Sequence, residues 1–167
     1  IAYGMSLLTD IIGNSYNRDD MEVIPLPLSH LYGHAMTRMF MEHGFGVLLQ
    51  ADPRDTKESI RLIKEYRPII YMGSPTQFMN LLKEEDAKDL GIIGGSSSMA
   101  LAPKTQIDFE KKTSSIMAEG YGLSEMSPGT HYPSVVHILA PFIGTPESVG
   151  KIFHLLDRIL RIGGIIP

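Results

Sequence analysis

Between Val23 and Ala118 the chain alternates between short apolar runs and segments of helical period. That rhythm restricts the possible folds more than any other feature. Val23-Ile-Pro-Leu-Pro-Leu28 reads as a strand running into an extended segment, because each proline biases its predecessor away from helix. Ala35 to Glu42 predicts a helix that stops near Gly44, and Gly46 to Gln50 a strand. Asp55 suits an N-cap, with Glu58 in the capping-box position, Ile60, Ile63 and Lys64 at helical spacing, and Pro68 as the break. Ile69 to Met72 is the next strand, and Ser74 caps a helix with Pro75 at its first position. Gly91 to Gly94 predicts a strand, Pro103 to Lys112 a helix, and Ser115 to Ala118 a strand. Such alternation implies right-handed crossovers, hence an α/β fold: a doubly wound, mainly parallel sheet flanked by helices.

The ends are less regular. Met5, Leu8, Ile11 and Ile12 fall at helical spacing before a polar turn at 17–20. His131 to Pro146 reads as proline-spotted loop or short strand, and Val149 to Ile162 as strand or helix. The expected organisation is an α/β core over 1–130 and an irregular or β-rich continuation of the same domain over 131–167.

Composition excludes several functions. The net charge of −4 lacks the basic balance of a nucleic-acid binder. Zero cysteines rule out disulfides and thiolate chemistry and are compatible with the cytoplasm. Charge or proline interrupts the apolar stretches within about ten residues, too few to span a bilayer. The chain begins at Ile1 without a basic-then-apolar leader and stops in mid-pattern at Pro167, as expected of a piece of a longer protein.

Three segments fall at or beyond strand ends: Ser29-His-Leu-Tyr-Gly33, Gly94-Gly-Ser-Ser-Ser-Met99 and Glu119-Gly-Tyr-Gly-Leu-Ser-Glu125. In open α/β sheets ligands bind at that edge. The third segment combines glycines, a ring, a hydroxyl and a carboxylate, which suit a base, a phosphate and magnesium. Blander roles compete. Tyr121 could be a half-buried strand-end tyrosine, Glu125 a first-turn helix residue, and Ser124 an N-cap, which is compatible with phosphate binding. His30 and His34, four apart, invite a zinc reading but lack a third ligand at metal spacing. Met36, Met39, Phe40 and Met41 suit core packing better than a pliable acyl-pocket wall, and Lys83 to Lys88 suits a solvated helix end.

Three motifs in order resemble the acyl-adenylate-forming superfamily of acyl-CoA synthetases, luciferases and peptide-synthetase adenylation domains. Tyr121-Gly-Leu-Ser-Glu125 is similar to its Tyr-Gly-x-Thr-Glu, Pro27-Leu-Ser-His-Leu-Tyr-Gly33 to its Pro-x-x-His-x-aromatic-Gly, and Ser148-Val-Gly-Lys151 to its Val-Gly-Lys. The resemblance implies a flavodoxin-like subdomain inside the large N-terminal domain. It implies that Tyr121 stacks on adenine between Gly120 and Gly122, that Ser124 bonds the α-phosphate, and that Glu125 holds Mg²⁺. It places His30 where acid and α-phosphate meet, and Tyr32 and Met126 beside the acyl group. The family's Gly-Gly-Ala-Pro-like turn falls on Ser97-Ser-Met-Ala100, so Ser98 and Met99 would contact the nucleotide where glycines are usual.

The implied activity is that of an ATP-dependent acyl-CoA synthetase, with coenzyme A as co-substrate. Apolar and hydroxyl residues around His30 and Met126, where an aspartate would hold an amino acid, favour a fatty or aryl acid. The isolated chain is expected to be inactive, lacking the family's phosphate loop and catalytic lysine. Competing readings are a peptide-synthetase-type adenylation domain and a non-catalytic nucleotide- or protein-binding module.

Overall fold

The computed structural model describes residues 20–42, 44–124 and 129–131. The helical pattern at Met5–Ile12, the continuation over 132–167, and Glu125 and Met126 lie outside the described residues. Four crossovers join five strands: β1 (Met21–Ile24), α1 (Leu31–Glu42), β2 (Gly46–Leu49), α2 (Thr56–Tyr66), β3 (Ile70–Gly73), α3 (Pro75–Lys83), β4 (Ile93–Ser96), α4 (Pro103–Thr113) and β5 (Ile116–Glu119). The strands are all parallel, in the order β2-β1-β3-β4-β5. Beyond β5 the chain forms a two-stranded antiparallel ribbon of β6 (Tyr121–Gly122) and β7 (Gly129–His131).

The strand order explains the layers. From β1 to β2 the chain steps one way across the sheet, and from β2 through β5 it steps the other way. Right-handed crossovers then put α1 on one face and α2, α3 and α4 on the opposite face. Val23, Tyr71 and Met117 pack with Ile63, Phe78 and Phe109 on the three-helix face. Phe78 stands edge-on between Tyr71 and Phe109, with ring centroids 5.5 and 5.1 Å away. Ile24 and Ile70 pack with Met36, Met39 and Phe40 on the α1 face.

The helix signals act largely as expected. Asp55 accepts the Glu58 N–H at 3.0 Å, although the Glu58 side chain turns to Arg61 instead of completing the box. Ser74 and Gln77 do form a reciprocal capping box. Four expectations need correction. β1 starts at Met21 and stops at Ile24, because Pro25 and Pro27 have no N–H to continue the ladder. α1 starts four residues before Ala35, since His30 already caps it. The fourth strand is Ile93–Ser96, not Gly91–Gly94. The Gly91 N–H is held by the Thr113 carbonyl and the Ile92 N–H by Ser115 Oγ, so neither N–H donates into the β3–β4–β5 ladder. Met41 is 61% exposed: the helix buries the 35, 36, 39, 40 stripe, and position 41 points away from it. Within the charged stretch after α3, Ala87 is fully buried.

Glu22 stands apart from this order. It shares the α1 face of the inner strand β1 with Ile24, between Val47 and Ile70, and is 0% exposed. Among the described residues neither carboxyl oxygen has a hydrogen-bond partner. Burial pushes its pKa up to about 10, so at neutral pH it is an uncharged acid.

Candidate active site

The strand order reverses between β1 and β3, so the chain leaves these neighbours toward opposite faces and opens a crevice at their carboxyl ends. The Pro25–Ser29 loop forms one wall. It turns back on itself through the His30 N–H, which donates to the Pro27 carbonyl at 3.0 Å. Gly33 packs against that carbonyl: a Cβ there would lie 2.5 Å from the Pro27 oxygen, so only glycine lets the loop fold onto α1. The His30 ring caps the helix, its Nδ1 accepting the Tyr32 N–H at 3.1 Å. Tyr32 is buried, and its hydroxyl donates to the Gly95 carbonyl of β4 at 3.4 Å. A Cβ at Gly95 would press on the Met72 side chain of the neighbouring strand.

Beneath the crevice the loops are tied together. Gln77 Oε1 accepts the Ser74 N–H at 2.8 Å and the Ser74 hydroxyl at 3.1 Å. Its Nε2 donates to the Pro25 carbonyl, and to that of Pro53 at 3.1 Å. One side chain thus joins the exits of β1, β2 and β3. A second relay is buried beside it. The Tyr71 hydroxyl donates to Ser59 Oγ at 3.2 Å, and Ser59 donates to Gln50 Oε1 at 2.7 Å. Gln50 Nε2 donates to the Asp52 and Asp55 carbonyls at 2.6 and 2.7 Å. Burial pushes the Tyr71 phenol pKa up, which keeps it a donor.

The exits of β4 and β5 carry the other candidates. The Ser97 N–H donates to the Gly73 carbonyl at 3.2 Å, and the Gly120 N–H to that of Ser96 at 2.8 Å. Glu119 Oε1 accepts the Leu101 N–H at 2.8 Å and holds the 97–101 turn against β5. Within that turn Ser98 has φ +80°, a left-handed backbone that costs a side-chain-bearing residue about 1 kcal/mol or more. Beside it Met99 is 55% exposed and Tyr121 58% exposed, with Leu123 and Leu28 also open at this edge. Ser124 is exposed, Gly120 and Gly122 are half-buried, and Tyr121 pairs with His131 across the ribbon.

His30, Tyr32, Ser98, Met99, Gly120, Tyr121, Gly122 and Ser124 therefore gather at one sheet edge. From β1 to β5 it spans three strand spacings, about 14 Å. Half of Gly94–Met99 lies inside β4, so only Ser97 onward reaches the edge. His34 is exposed along α1. Among the described residues no three His, Asp or Glu side chains cluster as a metal site. The sequence reading missed Gln77 and the bracing by Glu119. Ser74-Pro-Thr-Gln77 is a capping-box pattern that could have revealed the first. No local signal marks the second, whose partner lies 18 residues away.

A family model described as AMP-binding enzyme matches residues 2–159. The chain belongs to the AMP-binding enzyme family. A long-chain-fatty-acid–CoA ligase of Bacillus subtilis is 36% identical over 112 residues, covering 64% of this chain and 20% of that protein. A human mitochondrial medium-chain acyl-CoA ligase is 29% identical over 150 residues, covering 84% and 23%. The chain thus spans about a fifth of the length of these AMP-binding relatives. Two solved structures share the fold. The long-chain-fatty-acid-CoA ligase of Archaeoglobus fulgidus gives a TM-score of 0.69 at 13% identity, over 82% of this chain and 30% of that one. The o-succinylbenzoate coenzyme A synthetase of Bacillus subtilis, in complex with ATP and magnesium ion, gives 0.69 at 16%, over 80% and 27%. Among the described residues of this chain, no helix is long and apolar enough to cross a membrane.

Proposed function

We propose that this chain carries part of the adenylation site of an AMP-forming acid–thiol ligase for a fatty or aryl acid. The carrying observation is that the Tyr121–Ser124 segment, inside the family match, leaves β5 at the carboxyl edge with its ring and hydroxyl exposed. In the first half-reaction an oxygen of the acid's carboxylate bonds the α-phosphorus of ATP. The bond from that phosphorus to the bridging oxygen breaks, and its electrons leave with pyrophosphate. Coenzyme A, its thiol proton lost to solvent, then attacks the acyl carbon as a thiolate, and the bond from that carbon to the phosphate oxygen breaks with its electrons leaving on AMP. Tyr121 stacks on adenine, with Ser98, Met99, Gly120 and Gly122 as its surroundings, and Ser124 donates to the α-phosphate. His30 stands where carboxylate and phosphate meet, and Tyr32 and Met126 border the acyl group.

Glu125 directly follows the exposed Ser124, and a single carboxylate suffices for magnesium that takes its other ligands from phosphates and water. The ion would neutralise charge at the phosphates. The absence of cysteine suits a reducing compartment, which supports a cytoplasmic setting. The chain alone is expected not to turn over.

The decisive assay is acid-dependent exchange of labelled pyrophosphate into ATP, run on the protein that carries this chain at its full natural length. Panels of fatty, aryl and amino acids are compared. Exchange with fatty or aryl acids is expected. Exchange restricted to amino acids would make it a peptide-synthetase-type domain, and no exchange with any acid would end the ligase reading.

A further inference from the structure

The two ends of the Gln77 amide serve different parts of the molecule. We infer that Gln77 is a positioning residue for the acid side of the crevice. Its nitrogen holds the Pro25 carbonyl and so sets the Pro25–Ser29 wall against the exits of β2 and β3, without acting on the nucleotide side. This rests on the adenylation reading above, in which that loop leads to the residues beside the acid.

Gln77 is the third residue of α3, and its Oε1 accepts the Ser74 N–H at 2.8 Å and the Ser74 hydroxyl at 3.1 Å. Those bonds cap the helix, and a glutamate would make them equally well. Glu and Gln are interchangeable at this place in a capping box, and the positive start of a helix favours the anion. Capping therefore does not call for an amide nitrogen. What glutamine adds is the Nε2 donor, and both of its bonds leave the helix. One reaches the Pro25 carbonyl, 52 residues back, and the other the Pro53 carbonyl, 24 back, at 3.1 Å. With its oxygen facing two donors and its nitrogen facing two carbonyls, the amide has a single satisfied orientation.

The loop needs such a tie. Pro25 has no N–H to continue the β1 ladder, so the chain lifts off the sheet at a residue that is itself fully buried. From Pro27 to His30 every residue is exposed. The bond from the His30 N–H to the Pro27 carbonyl shapes the turn from within but does not fasten it to the sheet. Among the described residues, the Gln77 amide is the side-chain donor that reaches this loop from outside. At the far end of the edge, the Ser97 and Gly120 N–H bonds and the Glu119 brace involve neither Gln77 nor its partners. Loss of the Gln77 donor should therefore be felt by the acid and not by ATP.

The test compares full-length wild type with Gln77→Glu and Gln77→Met. Gln77→Glu keeps the acceptor for Ser74 and loses only the donor, turning an anion toward two carbonyl oxygens. Gln77→Met keeps the length of the side chain and loses both ends. In pyrophosphate exchange with dodecanoate at about pH 8, Gln77→Glu should raise KM for the acid and lower kcat, each about three- to ten-fold, with KM for ATP unchanged. Lowering the pH to about 6 protonates part of the new carboxyl and restores a donor, so Gln77→Glu should recover relative to wild type. Gln77→Met should show the defect at both pH values. Wild-type kinetics in Gln77→Glu, or an equal rise in KM for ATP, overturns the inference. Amide hydrogen exchange on the unliganded proteins needs no activity. Peptides covering 25–30 should exchange faster in Gln77→Glu, while those covering 97–101 and 119–124 keep their rates; unchanged exchange over 25–30 also overturns the inference. A wild-type protein inactive with every acid would end the ligase reading instead, and hydrogen exchange would still decide whether Gln77 holds the loop.

Discussion

The carboxyl edge of the sheet has two halves of different character. At the exits of β2, β1 and β3, Gln77 and the Tyr71–Ser59–Gln50 relay lock the loops with buried or half-buried hydrogen bonds. At the exits of β4 and β5 two main-chain bonds and the Glu119 brace act among the described residues, and the turn they hold leaves Ser98 and Met99 exposed and, at Ser98, strained. The contrast separates a tightly braced half from an open one. Loops fastened beneath the crevice can define its floor. Under the proposed adenylation role, the exposed Tyr121 ring is left open to a base.

The largest expected effect tests whether the locked half is uniformly optimised. Glu22 is its misfit. The folded-state pKa lies above the unfolded value of 4.5, so stability from the bound proton is complete below 4.5 and is lost as pH rises toward about 10. Unfolding free energies from urea titrations should fall across that window, by up to about 1.4 kcal/mol per pH unit. Glu22→Val should be more stable than wild type at pH 8 by about 3–5 kcal/mol, and its slope with pH should flatten. An unchanged slope would mean that Glu22 ionises in the folded state.

Next comes the hub itself. Gln77→Ala leaves the Ser74 N–H and the Pro25 and Pro53 carbonyls without their partner and should cost about 2–3 kcal/mol in urea unfolding. A loss below about 0.5 kcal/mol would show that the two halves are not held differently.

On the open half, Tyr121→Ala should leave the unfolding midpoint alone and raise KM for ATP roughly ten- to hundred-fold, the worth of one base stacked on a ring. A drop in stability without a change in KM would assign Tyr121 to the scaffold instead. The smallest effect belongs to Ser98. Replacing it by glycine relieves the left-handed backbone and should stabilise by about 0.5–1 kcal/mol in thermal unfolding. If Ser98→Gly is instead less stable, the Ser98 side chain contributes to the turn more than its backbone costs.

Much of this architecture was legible from short-range signals. Asp55, Ser74 and Pro75 announced their helices because a cap is decided within three or four residues. The Tyr121–Ser124 segment was placed correctly after a strand for the same reason. The errors came where the decision is long-range. Gly91–Gly94 looked as strand-like as Ile93–Ser96, and the choice between them rests on Thr113 and Ser115, more than twenty residues on.

By itself, then, the sequence determined the succession of strands and helices and membership of the AMP-binding enzyme family, and it supplied the residue types of the candidate site. These are properties of local backbone preference and of side-chain type. Only the tertiary structure decided the β2-β1-β3-β4-β5 order, the burial of Glu22, the joining of three loops by Gln77 and the reach of Tyr32 to Gly95. Parallel strands must be joined by long crossovers, so a strand's neighbour is chosen by packing against distant residues, and nothing in the strand itself encodes it.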